Sequence, residues 1–198
     1  MKTCFSIAKA VTEADLKEIV SILKSYFPNS PSTLNDLKAI YKASPRSVII
    51  LKDYANNGLV VGGMLVLSVT SSFFKDFCKG KASVHNWRDC LGSIVSFDSK
   101  IVHNVIMESI VVRKEYRNTE AWLIIMEYFM AFVDFLMRDE KLILGVASES
   151  ESEDGDNFFG KIMNMEKAFK EGERTIFVST MDCIREIFQK NLGIVSTL

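Results

Sequence analysis

Hydrophobic and polar positions along the chain fall into stretches of period two, stretches of period near 3.6, and polar breaks between them. Residues 4–11 read as a first strand, and Thr12 with Asp15 three residues on makes a capping-box start to a helix carrying Leu16, Ile19, Val20 and Leu23 at helical spacing. That helix ends at Phe27-Pro28. Thr33 and Asp36 repeat the cap for a second helix, which closes before Pro45. Residues 47–52 predict a strand, residues 55–58 (Ala-Asn-Asn-Gly) a turn that needs positive φ, and residues 59–70 the partner strand. Residues 71–102 mix Phe73, Phe74, Phe77, Trp87 and Phe97 with glycines and lysines and keep no period, so they predict an irregular insertion with a short helix near 73–78.

The rest of the chain is organised around residues 104–138. A β-branched run at 105–112 predicts a strand, 113–118 a charged turn, and 119–138 a long helix that is apolar on nearly every face. In such a unit the first helical amides and the positive end of the helix dipole point outward at the turn, where an anion can sit. Residues 141–148 then predict a strand, 149–156 a solvated acidic loop, and 158–165 a helix capped by Asp156 or Asn157. A strand at 174–179 and a terminal helix at 182–191, ending before Gly193, complete the order.

Composition narrows the class. A chain of 198 residues, 48% apolar and 25% charged with only 3 prolines, fits one domain over 1–198 with a full core. Lys plus Arg at 24 against Asp plus Glu at 25 leaves no overall field to draw in nucleic acid or anionic lipid, so an anion site must be local. Cys4, Cys78, Cys90 and Cys183 form no CxxC pair, and with only His85 and His103 beside them no metal site is expected. Free thiols and an amino terminus interrupted by Lys9, Glu13 and Asp15 predict a cytoplasmic protein without a signal peptide. Glu127 and Asp134 inside the apolar stretch 121–137 favour a buried helix over a membrane span.

The element order, together with Val112, Arg113, Lys114, Glu115, Tyr116, Arg117 and Asn118, resembles the GNAT superfamily of N-acetyltransferases, over most of the chain outside 71–102. The resemblance implies an α/β fold with a mixed, mostly antiparallel central sheet flanked by helices. It also implies an acyl-CoA-dependent N-acyltransferase, with acetyl-CoA or another acyl-CoA as co-substrate, no metal, and a small-molecule or protein amine as acceptor. In the family the turn reads Arg/Gln-x-x-Gly-x-Gly/Ala, and its amides hold the pyrophosphate. Here Arg117 stands, while Glu120 and Trp122 replace the two small residues. Implied donor contacts are the backbone at Ile110, Val111 and Val112, and Arg113, Arg117, Asn118 and Thr119 at the turn. The same turn also reads as a plain surface turn in which Asn118 or Thr119 caps the helix and Trp122 packs into the core.

Transfer to an amine needs a proton acceptor near the middle of the strand 105–112. Glu108 fits: by alternation it shares a face with Asn104, Ile106 and Ile110, and burial there would raise its pKa. An exposed or lysine-paired Glu108 satisfies the pattern equally. His103 is the second candidate. The family's general-acid tyrosine corresponds to Phe159, and Ser148, Ser150 and Ser152 lie near it in sequence. These departures leave two alternatives: a GNAT-fold binding or regulatory module without catalysis, and an acyl carrier protein as donor, docked on Lys75, Lys79 and Lys81.

Overall fold

The computed structural model describes residues 4–192 except residues 29, 31, 85–89, 100–102 and 139–142. His85, Trp87, the start of the strand expected at 141–148 and the stop expected at Gly193 lie outside the described residues. In order, the elements are β1 (Phe5–Ile7), α1 (Glu13–Tyr26), α2 (Leu34–Ala43), β2 (Val48–Asp53), β3 (Leu59–Val69), α3 (Ser71–Cys78), β4 (His103–Val112), α4 (Ala121–Arg138), β5 (Ile143–Ser150), α5 (Glu153–Asn157), β6 (Glu166–Glu171), β7 (Arg174–Ser179) and α6 (Met181–Leu192). Both expected capping boxes form. The Asp15 amide donates to Thr12 Oγ1 at 3.2 Å and the Thr12 amide to Asp15 Oδ2 at 2.9 Å, and Thr33 with Asp36 repeats the arrangement. At the hairpin, Asn57 and Gly58 take φ of 52° and 70°, the left-handed values that short side chains tolerate.

The strands pair in the order β1-β2-β3-β4-β5-β7-β6, and only β4 with β5 is parallel. Both faces of this mixed, mostly antiparallel sheet are covered. Leu16, Ile19, Leu23, Leu37, Ile40, Phe73 and Phe77 of α1 to α3 bury one face, and Ile125, Met126, Phe129, Val133 and Leu136 of α4 bury the other. Burial on both faces is why β3 reads as a nearly continuous apolar run, broken only by the buried Ser68, where one exposed face would have forced alternation. Each of those side chains contributes about 1.5–3 kcal/mol relative to exposure, which outweighs the weak helix propensity of the β-branched and aromatic residues in α4.

Four expectations are corrected. The first strand is limited to Phe5–Ile7: the ladder with β2 ends where Ile7 pairs with Leu51, followed by a last bond from the Ala8 amide to Ile50 O at 2.8 Å. Glu149 and Ser150 are buried residues of β5, not part of a solvated loop: Arg174 of β7 grips Glu149 with Nε to Oε1 at 3.0 Å and Nη2 to Oε2 at 3.2 Å. A bidentate guanidinium so satisfies a carboxylate that burial is tolerated. The helix after β5 starts at Glu153, capped by Ser152 Oγ accepting from the Gly155 amide at 3.1 Å, and widens into a π-helical turn at Phe158–Ile162. Finally, the edge strand β6 carries charge at four of its six positions and so gives no apolar alternation; its Phe169 packs back against Gly80. The described residues of the insertion are tied to the end of β3, with the Thr70 amide donating to Ser93 O at 2.9 Å and the Val95 amide to Ser68 O at 2.8 Å.

Candidate functional site

β4 and β5 pair in parallel from His103 to Met107 and then part. Beyond that point Ser109 to Val112 pair with β3 alone, so a splay opens along the β5 side of β4. Ser148 Oγ donates to Met107 O at 2.8 Å and closes its inner end. The direction of the backbone groups follows from the ladder. The Arg113 amide donates to Val61 O at 2.8 Å, and in an antiparallel ladder alternate residues bond to the same neighbour. Val111 and Arg113 therefore bond β3, whereas Ile110 and Val112 turn their N–H and C=O groups towards the splay. Of the three backbone positions expected to touch a donor, Ile110 and Val112 face the opening and Val111 does not.

Glu108 is the extra residue of a β-bulge, since Val66 pairs with Met107 and Leu65 with Ser109. The bulge corrects the expected alternation. Ile106 packs into the α1–α3 core, but Ile110 packs against the α4 core on the opposite face. Glu108 itself is half-buried on the α1–α3 side, near the buried Cys90: burial pushes that thiol up to about 12, and the Glu108 charge adds to the effect. His103 lies five residues back along β4, roughly 16 Å away at strand spacing. It is fully buried, its Nδ1 sharing a hydrogen bond of 2.7 Å with Ser68 Oγ and its ring 5.5 Å from that of Phe97. The structure therefore does not bring His103 to the splay.

The turn after β4 is pinned from below. Tyr116 is buried, stacks edge-on against Phe5 at 5.8 Å, and donates its hydroxyl to Asp53 Oδ2 at 3.2 Å. Thr119 precedes the N-cap position of α4: its hydroxyl donates to Tyr116 O at 2.6 Å and accepts from the Ala121 amide, the first of the helix, at 3.3 Å. Arg113 is tied to Glu18 and to Val60 O, and so is committed to α1 and β3. Arg117 and Asn118 are exposed, Glu120 is exposed beside them, and Trp122 is half-buried against the α4 core. Arg117 does not reach out. It donates from Nε to the hydroxyl of Tyr26 at 3.0 Å and lies 4.3 Å over that ring, while Tyr26 donates to Val112 O at 2.5 Å. Tyr26 had no local signal in the sequence beyond its place at a helix end, because its partners are some ninety residues away.

Phe159, at the family's tyrosine position, is buried against Phe158 and Phe177. The three nearby serines hold structural bonds: Ser148 to Met107 O, Ser150 to Ser152 O at 2.9 Å, and Ser152 as the cap of α5. Asp134 is ion-paired with Arg185 of α6, whereas Glu127 is exposed. Among the described residues no group of His, Cys, Asp and Glu is arranged to hold a metal ion, and no helix is long and apolar enough to cross a membrane.

No family model matches the sequence, and no curated protein matches it either. Solved structures do. The chain is similar to a chain of the NatC complex bound to Gag peptide and CoA, with a TM-score of 0.61 at 11% identity over 91% of this chain and 99% of that one. It is similar to mosquito arylalkylamine N-acetyltransferase like 5b, with a TM-score of 0.57 at 12% identity over 90% and 100%. A GNAT-family acetyltransferase from Listeria monocytogenes gives 0.53 at 11% identity over 89% and 95%. With its sheet order, its parting β4 and β5 and this coverage, the chain has the fold of the GNAT-superfamily acetyltransferases.

Proposed function

We propose that the chain is an acyl-CoA-dependent N-acyltransferase that moves an acyl group to a primary amine of a small molecule or protein. The splay carries the reading: an extended pantetheine arm can lie along β4 and bond Ile110 and Val112 as a further strand would. The NatC structure, which shares the fold, holds CoA and a peptide. In this reading the amine nitrogen attacks the thioester carbonyl, Glu108 takes the amine proton directly or through water, and the carbon–sulfur bond breaks to release CoA as thiolate. The backbone amide of Ile110 polarises the carbonyl, the backbone of Val112 bonds the pantetheine arm, and Arg117 with the turn at Asn118 and Thr119 holds the pyrophosphate. Phe159 supplies no proton to the thiolate, which as a good leaving group departs without one.

Equilibrium dialysis against acetyl-CoA and a longer acyl-CoA tests this, with binding at micromolar to sub-millimolar concentration expected. Absence of binding at millimolar concentration would overturn it. That outcome would favour the second reading, a GNAT-fold binding module without catalysis, which rests on the exposed Glu120 at the turn and on Trp122 in place of a small residue. Donation from an acyl carrier protein docked on the exposed Lys75, Lys79 and Lys81 is the remaining alternative; turnover that depends on such a carrier, and that falls when the three lysines are replaced, marks it.

A further inference from the structure

We propose that Tyr26 sets the affinity of the splay for its donor, by holding in the ligand-free protein both groups that the donor needs. The inference rests on the function proposed above. A phenol has one proton, and Tyr26 gives it to Val112 O at 2.5 Å; it accepts one from Arg117 Nε at 3.0 Å. Lys114 Nζ lies 5.8 Å from the same ring, so both cations exposed at the turn gather on Tyr26.

Val112 O points into the splay, away from β3. An amide N–H of an extended chain lying on that edge would bond this oxygen, in the way an added strand does. Arg117 is the guanidinium that a pyrophosphate at the start of α4 would draw. One ligand with an amide-bearing arm and a pyrophosphate therefore competes with Tyr26 at both of its bonds. Seating of the donor releases the phenol. Release needs little rearrangement, because Tyr26 is the last residue of α1 and Phe27 has already left helical geometry, its amide bonding Leu23 O as the final turn.

Calorimetric titration of acetyl-CoA into wild type and Tyr26→Phe tests the assignment. Phenylalanine keeps a ring beneath Arg117 and takes nothing from Val112 O. The variant should bind pantetheine, which carries the amides without the pyrophosphate and competes only for Val112 O, about fivefold more tightly, the factor that one net neutral hydrogen bond provides. Acetyl-CoA, which competes for Arg117 as well, should gain more than fivefold, whereas adenosine 3′,5′-bisphosphate, which has no amide-bearing arm, should gain less than acetyl-CoA. In the wild type, saturation with acetyl-CoA should speed amide exchange in the last turn of α1. A tyrosine with a purely structural role would lower the melting temperature on substitution and leave donor affinity unchanged or weaker, and that result overturns the proposal. Protection of the α1 terminus on binding overturns it as well. Wild-type binding that is unaltered by Tyr26→Phe removes the role of Tyr26 and leaves the acyltransferase reading intact; no acyl-CoA binding by either protein removes both.

Discussion

Replacing Gly62 with alanine puts a methyl group where β4 already stands. The added Cβ would lie 2.5 Å from the Val111 carbonyl oxygen and 3.2 Å from both Cα and Cγ2 of Val112. An ordinary carbon–oxygen contact is about 3.3 Å, so β3 and β4 must part by about 0.8 Å at the residues that line the splay. Val111 O cannot swing aside, because it faces β3 within the ladder. Overpacking of this kind costs about 1–3 kcal/mol, and the stiffer unfolded chain returns about 0.4–1 kcal/mol. A net loss of about 1–2 kcal/mol remains. With a urea slope of roughly 2 kcal/mol per molar, the unfolding midpoint of Gly62→Ala should fall by roughly 0.5–1 M. Gly172→Ala supplies the contrast: its Cβ meets nothing within 4 Å, so only its φ of 58° matters, at about 1 kcal/mol. A Gly62→Ala midpoint equal to or above wild type would refute the reasoning from close strand approach.

Glu108→Gln should lower turnover about 10²–10⁴-fold with acetyl-CoA affinity unchanged, and steady-state kinetics retaining wild-type turnover would rule Glu108 out as the base. For Asp15, burial disfavours the carboxylate, but the hydrogen bond from Lys52 and those at Thr12 outweigh it and hold its pKa below the usual value. A depressed folded pKa gives stability that is present above the unfolded value of about 3.9 and lost as pH falls through the folded one. Urea midpoints measured between pH 2 and 5 should thus fall less steeply in Asp15→Asn; identical acid limbs would contradict this. Native alkylation at pH 8 followed by mass spectrometry should mark the exposed Cys4 and Cys183 and spare Cys90, which is buried with its thiol pushed up to about 12. Early labelling of Cys90 would show that its cover opens.

Local chemistry was legible wherever one segment's own residues make the decision. The boxes at Thr12 and Thr33 cap helices because hydroxyl, carboxylate and the amides that they bond lie within three residues. Asn57 and Gly58 turn the chain because their own backbones tolerate positive φ. The unit from β4 to α4 was legible for the same reason, although Thr119 accepts from the first amide of α4 while standing one residue before the cap position. Glu149 was not: its acidic, polar setting reads as a loop, and only Arg174, arriving from another strand, makes it a buried residue. β6 escaped because an edge strand that meets solvent on both sides has no apolar pattern to show.

At the candidate site the division is sharper. Sequence alone determined that an acid stands in the middle of an apolar strand and that basic residues follow in a turn before a long apolar helix. It could not determine which way they face. A single inserted residue in β4 moves Ile110 to the opposite core from Ile106, and period-two reasoning cannot see an unpaired residue, since the bulge is defined by the partner strand β3. The occupation of Val112 O and Arg117 by Tyr26 is likewise decided only by the tertiary structure. A side chain's proximity in space depends on where the sheet carries it, and the sheet is assembled from strands whose order the local pattern does not encode.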